Sequence, residues 1–501
     1  MHLFLYICAS VFLVSLTAII SLLLNALTAH AHHPPHYWPR RPSGLPLVGS
    51  LLQLPRSKPW IHYAQWAQRF GDIFHFRVLG REFVVLSSIT TALDLFERRS
   101  VIYSDRPLFV MCGELVGRDE SVLFSPYGDR LREYRRILNS TLGPGVAHRH
   151  WEMQQEEVHK FLNGLLESPH QLMPAIRRYA GSVVLRIAYG HVVESDDDKY
   201  VLLAEELAHI TTAAIQPGKW LVDSFPYLKH VPDWMPGAGF KRWAVKARAR
   251  SDELIYSPLQ EVKKKIEKGT ATPSLTADFI ENSPENERII ANVASSFYAG
   301  ELQLFYDTRT DSEMHSPSAG ADTSASILAT FFLMMTLHPN VQSRASSEID
   351  RVVGTSRLPH ITDREKLPFV DAIIKEVYRF HPVAPLIIHS PLKDDIYRDY
   401  FIPKGASVIV NIWGILHDEH NFTNPSAFNP DRFMDPPEGT IDPRTIIFGL
   451  GRRNCPGKHL GEASVFMAIS NALASLRISK ALDEAGKVIE PVVDFTSGHT
   501  S

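Results

Sequence analysis

The spacing of apolar residues along the 501-residue chain predicts a mostly helical protein with a small β portion. Apolar positions recur with helical spacing from Trp151 to Lys268, and again from Ile327 to Leu337. Residues 72–88 instead alternate apolar and polar side chains, which is typical of a β-hairpin, and residues 397–411 have the character of short strands. We therefore expect a large helical body that carries a small sheet.

The N-terminus differs from the rest of the chain because residues 3–27 are almost wholly apolar and uncharged. A run of about 20 to 25 such residues is long enough to span a bilayer, so residues 1–28 are predicted to be a transmembrane anchor. A cleaved signal peptide is the alternative, since Ala29-His30-Ala31 resembles a cleavage site. Arg40 and Arg41 follow the span and predict a single-pass protein whose main body faces the cytosol.

Behind the predicted anchor, residues 29–55 are rich in proline and predict a stiff hinge. Residues 56–501 then form one large predicted domain. Hydrophobic residues make up 45% of the chain, and 52 basic residues nearly balance 55 acidic ones, so nothing suggests a nucleic-acid partner. Three cysteines cannot build a disulfide framework, which fits a reducing compartment.

The chemistry of the chain is indicated by a ten-residue segment around Cys455, which is rich in glycine and arginine. A lone cysteine in this setting is predicted to be the thiolate ligand of a haem iron. Gly451 and Gly457 allow close approach of the backbone to a flat ring, Arg453 can pair with a haem propionate, and Phe448 can pack against the ring. The alternative is a buried structural cysteine, which is common among free cysteines.

This segment resembles the cysteine-ligand loop of the cytochrome P-450 monooxygenases. Three further motifs in the expected order extend the resemblance over nearly the whole chain, and the fungal microsomal branch is the most similar. The resemblance implies the cytochrome P-450 fold, with a single large haem domain behind an N-terminal membrane helix. It also implies haem b as the cofactor, with Cys455 as the axial ligand of the iron.

The second motif is Glu376-Val377-Tyr378-Arg379, whose outer residues lie on one face of a helix and can pair. Alone it is a weak signal, because exposed helices contain many such pairs. Residues 428–433 resemble the family segment that follows it. By resemblance, Glu376, Arg379 and Arg432 form a buried triad that supports the cysteine loop.

The third motif, residues 127–136, resembles the helix that binds a haem propionate in the family. Arg135 is the implied propionate partner, although Leu131 stands where the family usually has tryptophan. A solvated basic helix is the alternative interpretation. His389 is also implied to face a propionate. Four basic residues are predicted to form a face for an acidic reductase, namely Arg130, Arg132, Arg136 and Lys458.

The fourth motif, residues 319–324, resembles the oxygen-activating segment of the family. Asp322 and Thr323 are implied to relay protons through water during catalysis. Read alone, the Asp-Thr-Ser sequence is also a generic helix cap.

Residues 301–320 interrupt the helix that should lead into this motif, because they are polar and have no helical apolar stripe. Ala-Gly pairs flank the segment at residues 299–300 and 319–320, and its removal restores the family pattern. We therefore interpret it as an aberrant insert, arising from a retained intron or a mispredicted gene model. A genuine loop is the alternative, although structureless loops of this length are uncommon inside a domain.

The predicted function is insertion of one oxygen atom from O2 into an apolar small molecule. Lining stretches predicted at residues 102–120, 216–240, 383–389 and 496–501 suit a terpenoid, a stilbene or a polycyclic aromatic, in secondary metabolism or detoxification. The chain has no dinucleotide-binding fingerprint, so electrons are expected from a separate NADPH-cytochrome P-450 reductase.

Further expectations concern the cellular location of the protein, its alternative activities and its C-terminus. The anchor and the resemblance imply the endoplasmic reticulum membrane, with membrane lipid as a partner and the sequons at Asn139 and Asn421 unused. The alternatives to monooxygenation are a haem protein made inert by the insert, and an O2-independent isomerase or dehydratase. The chain also ends earlier than the family pattern leads one to expect.

Overall fold

The computed structural model describes residues 38–46, 48–55, 57–195, 198–216, 218–282, 286–298, 319–483, 485–493 and 495. The predicted anchor, the first part of the hinge and residues 301–318 of the predicted insert lie outside this part of the chain. The described residues are mostly helical with a small sheet portion, which confirms the prediction of fold class at this level. Among the described residues, no single helix is both long and apolar enough to span a bilayer. The consecutive helices Thr323–Leu337 and Pro339–Val352 meet these criteria only when taken together, and the chain bends by 106° between them.

Helices account for most of the ordered elements. In chain order they are α1 (Pro59–Phe70), α2 (Ile89–Leu93), α3 (Asp129–Leu142), α4 (Trp151–Glu167), α5 (Leu172–Tyr189), α6 (Lys199–Ile215), α7 (Leu221–Ser224), α8 (Gly239–Glu267), α9 (Leu275–Asn282), α10 (Glu287–Tyr298), α11 (Ala319–Leu337), α12 (Pro339–Val352), α13 (Pro368–Phe380), α14 (Ile412–Leu416) and α15 (Lys458–Ser475).

A four-stranded sheet and a two-stranded sheet complete the described fold. The strands are β1 (Ile73–Val78), β2 (Arg81–Leu86), β3 (Leu386–His389), β4 (Asp395–Tyr397), β5 (Tyr400–Ile402) and β6 (Ser407–Asn411). The larger sheet has the order β1-β2-β6-β3, in which β2 and β6 run parallel and the other pairs run antiparallel. The predicted hairpin at residues 72–88 and the predicted strands at 397–411 are therefore confirmed.

The main hydrophobic core lies among α5, α11, α13 and α15. α15 is apolar nearly all the way round and buries almost every residue between Leu460 and Leu473, so it forms the centre of the helical body. α11 packs along α5 and also contacts α13 and α15. A second core fills the space beside the sheet. The segment that contains Cys455 leads directly into α15 and is thereby anchored to the main core.

The position of α13 is fixed at its N-terminus by a buried carboxylate. Pro368 occupies the first turn, where its missing N–H costs nothing. Glu348 on α12 accepts hydrogen bonds from the N–H groups of Phe369 at 3.0 Å and Val370 at 3.1 Å. A negative charge there satisfies unpaired donors and complements the helix dipole. This cap positions the helix that carries Glu376.

Candidate active site

The residues before Cys455 form a tight turn that requires glycine at position 451. Gly451 has a φ of +62°, and a Cβ atom there would lie 1.9 Å from the carbonyl oxygen of Phe96. The N–H of Cys455 donates to the carbonyl oxygen of Phe448 at 2.6 Å. A side chain at position 451 would therefore be excluded both by the backbone conformation and by the close approach of a neighbouring chain segment.

The sulfur of Cys455 is presented to an internal cavity. Cys112, the other cysteine in the described part of the chain, is fully buried in a core, whereas Cys455 keeps accessible surface toward the cavity. Burial raises the pKa of the Cys455 thiol, while a hydrogen bond from the Gly457 N–H and the charges of Arg135 and Lys458 act to lower that pKa. These three groups stabilise the thiolate, which is the form that ligates a metal.

The cavity has a volume of about 300 Å³ and is bordered by the cysteine loop, α5, α11 and the start of α15. Its walls are mostly apolar, as is usual for a site that holds a small molecule. The apolar lining includes Val122, Leu123, Phe297, Ile327 and Val383. Predicted lining stretches 102–120 and 383–389 contribute to this wall, as do α5 and α10, which the sequence did not point to.

Three arginines line the same cavity, and the described lining contains no Asp or Glu side chain. Arg453 is only 8% exposed and donates to the carbonyl oxygens of Ser104 at 2.8 Å and Ser125 at 2.6 Å. Arg106 donates to the carbonyl oxygen of Leu123 at 2.9 Å. Backbone carbonyl oxygens thus hold both guanidinium groups in the cavity wall.

The third arginine, Arg135, projects from α3 toward the cysteine loop. It donates to the carbonyl oxygen of Asn454 at 2.9 Å and also to the side-chain oxygen of that residue. Burial lowers the pKa of Arg135, and the charge on Cys455 acts in the opposite direction. Leu131, one turn earlier, also lines the cavity.

His389 does not line the cavity in the structure. Its Nδ1 lies 2.9 Å from the carbonyl oxygen of Tyr103, and its ring stacks on Phe96 at 4.1 Å. Burial lowers the pKa of His389 well below its ordinary value, and the nearby charges of Arg106 and Arg453 add to that effect. Arg106, and not His389, contributes a positive charge to the cavity wall near β3.

Thr323 lies in α11 and lines the cavity, where its side chain is accessible. Asp322 belongs to the same helix, but its side chain lies outside the described part of the structure. Phe448 also lines the cavity and packs edge to face against Tyr378, with ring centroids 6.0 Å apart. Cys455 and Thr323 therefore belong to the lining of one cavity.

The structure brings Glu376, Arg379 and Arg432 together. Glu376 accepts from Arg379 at 2.7 and 2.8 Å, and Arg432 lies 3.2 Å from the same carboxylate. The N–H of Asn429 donates to Glu376 at 2.7 Å, and Arg379 also donates to the carbonyl oxygen of Leu416 at 3.1 Å. The carboxylate is thus fully paired and ties α13 to the segment before the cysteine loop.

These residues fit a haem group. Haem is an apolar plate with two carboxylates and an iron that accepts a thiolate. The cavity offers apolar walls, three arginines with no carboxylate among the described lining residues, and the accessible sulfur of Cys455. Each requirement of the cofactor is therefore matched by a group in the described cavity lining.

Some cavity residues could not be found from the sequence. Arg106 falls within a stretch predicted to line the site, but its neighbours Asp105 and Pro107 give no sign that its charge faces inward. Asn454 is the partner of Arg135, and only its position next to Cys455 hinted at a role. Tyr378 lies inside the motif Glu376-Val377-Tyr378-Arg379, which specifies only its first and last residues.

Comparison with known proteins agrees with this geometry. The family model described as Cytochrome P-450 matches residues 39–493. The chain is 42% identical over 472 residues to cytochrome P-450 monooxygenase 208 of Postia placenta, covering 92% of this chain and 88% of the relative. It is 37% identical over 471 residues to monooxygenase claR of Ampulloclitocybe clavipes, covering 92% and 84%. Monooxygenase COX2 of Coprinopsis cinerea is 39% identical over 467 residues, covering 90% and 85%. The chain therefore belongs to the cytochrome P-450 family, a family of monooxygenases that hold haem through a cysteine thiolate.

Proposed function

We propose that Cys455 is the axial haem ligand and that the chain inserts one oxygen atom from O2 into an apolar small molecule. The observation that carries this assignment is the accessible sulfur of Cys455 in a cavity lined by three arginines and apolar side chains. Haem bound there would supply an electron-rich iron at which O–O cleavage is favoured.

The residues of the chain act around that centre. The Gly457 N–H and the positive charges of Arg135 and Lys458 would favour the thiolate form of Cys455 against the opposing effect of burial. Arg106, Arg135 and Arg453 would hold the propionates. The hydroxyl of Thr323, together with the carboxyl of Asp322, would deliver protons through water to the cavity.

The substrate is proposed to be a neutral apolar molecule of terpenoid, stilbene or polycyclic aromatic type. The described cavity wall offers aliphatic and aromatic surface from Leu123, Phe297 and Ile327. The three arginines are the charges in that lining, and the propionates would neutralise them. An ionic substrate would then have no complementary charge in the described site.

Electrons are proposed to come from a separate NADPH-cytochrome P-450 reductase. Arg132 and Arg136 on α3 are 57% and 68% exposed, on the helix that also carries Arg135 toward the cysteine loop. Such a basic face would steer an acidic protein toward the ligand side of the haem. Charge reversal at Arg132 and Arg136 together should slow haem reduction by the reductase and leave chemical reduction by dithionite unchanged.

The test of the reaction class uses the full chain with haem and a reductase. Reduced protein with CO should show the absorbance band of thiolate ligation, and NADPH should support turnover of an apolar substrate from a panel. Cys455→Ser should abolish the band, while Cys112→Ser, the matched control in the core, should retain it. A normal band without turnover favours the inert alternative, and turnover without O2 favours an isomerase or dehydratase.

Residues 301–320 are proposed to be an aberrant insert, because they are polar, lack a helical apolar stripe and are flanked by a repeated Ala-Gly pair. The test compares the full chain with a variant that lacks these twenty residues. The shortened chain should show higher NADPH-dependent turnover at equal haem content. Equal turnover of the two forms, or mature transcripts that mostly encode the segment, would contradict the proposal.

The protein is proposed to reside in the endoplasmic reticulum membrane through residues 1–28, with its catalytic domain in the cytosol. The support is the uncharged apolar run and the basic residues after it. Microsomes that contain the full chain should retain it after carbonate extraction and lose it to added protease. Release by carbonate, or glycosylation at Asn139, would contradict this topology.

A further inference from the structure

Six charged side chains form a network that joins α13, α15 and the chain segments that precede α13 and the cysteine loop. Three are cations and three are carboxylates, so the network is neutral when all six are ionised. Each side chain is at most one-third exposed. The members are Arg364, Lys375 and Arg444 with Asp371, Asp442 and Glu462.

Two of the carboxylates are closely paired within this network. Asp371 accepts from Arg364 at 2.8 Å and lies 3.2 Å from Arg444. Asp442 accepts from Arg444 at 2.6 Å. These distances are those of direct charge-assisted hydrogen bonds, and they fix both guanidinium groups in place.

The third carboxylate, Glu462 on α15, is held differently. Its Oε1 lies 4.0 Å from Nη2 of Arg364 and 3.9 Å from Nε of Arg444, too far for a direct hydrogen bond. The atom is buried, and no donor among the described residues bonds to it. Polar atoms separated by about 4 Å in a buried site are commonly bridged by a water molecule.

Tyr378 on α13 contributes a second buried polar atom without a hydrogen-bond partner among the described residues. Its side chain is 2% exposed and its hydroxyl bonds to no described group. Burial raises the pKa of Tyr378, and the charge of Glu462 raises it further, while Arg364 and Arg444 act to lower it. Tyr378 follows the network residue Asp371 by seven positions on the same face of α13, and α13 packs against α15, which carries Glu462, so the hydroxyl is placed near the ion network.

The ring of Tyr378 reaches the cysteine loop. Tyr378 lines the cavity and packs edge to face on Phe448, whose carbonyl oxygen accepts the N–H of Cys455 at 2.6 Å. A change in the position of this ring would move Phe448 and hence the backbone that presents the sulfur. The orientation of Tyr378 thus couples the ion network to the ligand loop.

We propose that the Tyr378 hydroxyl and the Glu462 carboxylate share one buried water, which makes Tyr378 a positioning residue for the cysteine loop. Tyr378 donates to the water, the water donates to Oε1 of Glu462, and Arg364 and Arg444 are within reach as further donors. Buried waters typically make about three such bonds to otherwise unsatisfied groups. The effect on the sulfur rests on the proposed ligation by Cys455, whereas the water site does not.

The direct test is a high-resolution crystal structure of the haem-loaded protein. A water within hydrogen-bonding distance of both Tyr378 Oη and Glu462 Oε1 supports the proposal. A direct hydrogen bond between the two side chains, or two atoms with no water between them, overturns it. This measurement uses the wild-type protein, so its result does not depend on whether a variant folds.

The functional test compares Tyr378→Phe with wild type in the reduced CO complex. Loss of the bridge should accelerate the conversion of the thiolate-type band to the thiol-type band on mild warming by roughly fivefold to tenfold. The matched control is Tyr200→Phe, which removes another buried hydroxyl that hydrogen-bonds to a carboxylate, that of Glu261, on a helix outside the cavity. The control should lower global stability and leave the band conversion rate unchanged.

A double-mutant comparison separates a shared bridge from two independent effects. Tyr378→Phe and Glu462→Leu should together accelerate band conversion no more than the larger single change, because both remove the same water. Multiplicative effects, or a Tyr378→Phe protein that converts at the wild-type rate, overturn the positioning role. If wild type shows no thiolate-type band at all, the ligation by Cys455 fails instead, and the crystallographic test of the water still stands.

Discussion

Glu376 and Arg379 form a two-point ion pair in which neither side chain is accessible to solvent. The carboxylate accepts from Nε at 2.7 Å and from Nη2 at 2.8 Å, and both residues lie on α13 one turn apart. The guanidinium also lies over the ring of Phe422 at 5.4 Å. A pair this deeply buried is tolerated because every charged atom has a partner, and it becomes costly when one partner is removed.

Replacement of Glu376 by alanine should therefore destabilise the fold by about 3–5 kcal/mol, because it leaves the Arg379 charge buried and unpaired. Urea denaturation of the haem-loaded protein, followed by circular dichroism and haem absorbance, measures the loss. The matched control is Asp431→Ala, since Asp431 pairs with Arg344 at 2.6 Å on the surface, with 58% and 50% of the side chains exposed. The control should cost less than about 1 kcal/mol. Similar losses for the two variants would contradict the burial argument.

The Glu376–Arg379 pair was predictable because it is local. Residues three apart on a helix share a face, so the motif contains its own geometry. The same reasoning predicted the β1–β2 hairpin, whose strands are joined by two residues. Local periodicity could also predict the helical body, but not where its helices would pack.

The arrangement of Arg106 and His389 could not be predicted, because it depends on distant contacts. The backbone partner of His389 is Tyr103, which lies 286 positions away in the chain. The ion network likewise joins Arg364 to Glu462, and no sequence pattern links these positions. Buried charges choose partners by three-dimensional proximity, which the spacing of residues on one helix does not report.

Substitution of Gly451 by alanine should disrupt the cysteine loop. The position combines a φ of +62° with a Cβ contact of 1.9 Å to a backbone oxygen, so the chain must move to accommodate a methyl group. We expect a loss of about 2–4 kcal/mol and a reduced haem content. Gly145→Ala, where a Cβ would meet nothing within 4 Å, is the control and should be nearly neutral. Normal haem content in Gly451→Ala would show that the loop tolerates a different path.

Folding stability should fall as the pH is lowered, because four buried histidines resist protonation. Burial lowers the pKa of His75 and His417 to about 4, that of His381 to about 3, and that of His389 well below its ordinary value. The unfolded chain binds these protons below about pH 6.5, so the stabilisation is complete above that pH and is lost as pH falls through the folded-state values. Glu82 acts in the opposite direction between pH 4.5 and 7, because burial raises its pKa to about 7. The four histidines together outweigh this one glutamate, so the free energy of unfolding decreases toward acid pH.

His381→Phe isolates one of these contributions, since a phenylalanine can keep the stacking on Phe495 that the histidine makes at 3.8 Å. The variant should flatten the dependence of unfolding free energy on pH by about 1.4 kcal/mol per unit between pH 6 and 5. Urea denaturation at a series of pH values measures the slope. The comparison variant is His420→Asn, which replaces a histidine whose side chain is 94% exposed. An unchanged slope in His381→Phe would mean that this ring is protonated in the native state.

Arg106 should contribute to haem retention, although the sequence did not assign it that role. It lines the cavity, as Arg453 does, and the carbonyl oxygens of Leu123 and Ile388 accept from its guanidinium group, which fixes a positive charge in the cavity wall. Loss of one charge-assisted hydrogen bond of about 1.5–3 kcal/mol should speed transfer of haem to an acceptor protein roughly tenfold or more in Arg106→Leu. Arg106→Lys keeps the charge and should show a smaller increase, whereas Arg132→Leu on the surface should show none. If Arg106→Lys releases haem as fast as Arg106→Leu, the backbone bonds of the guanidinium, rather than its charge, account for the effect.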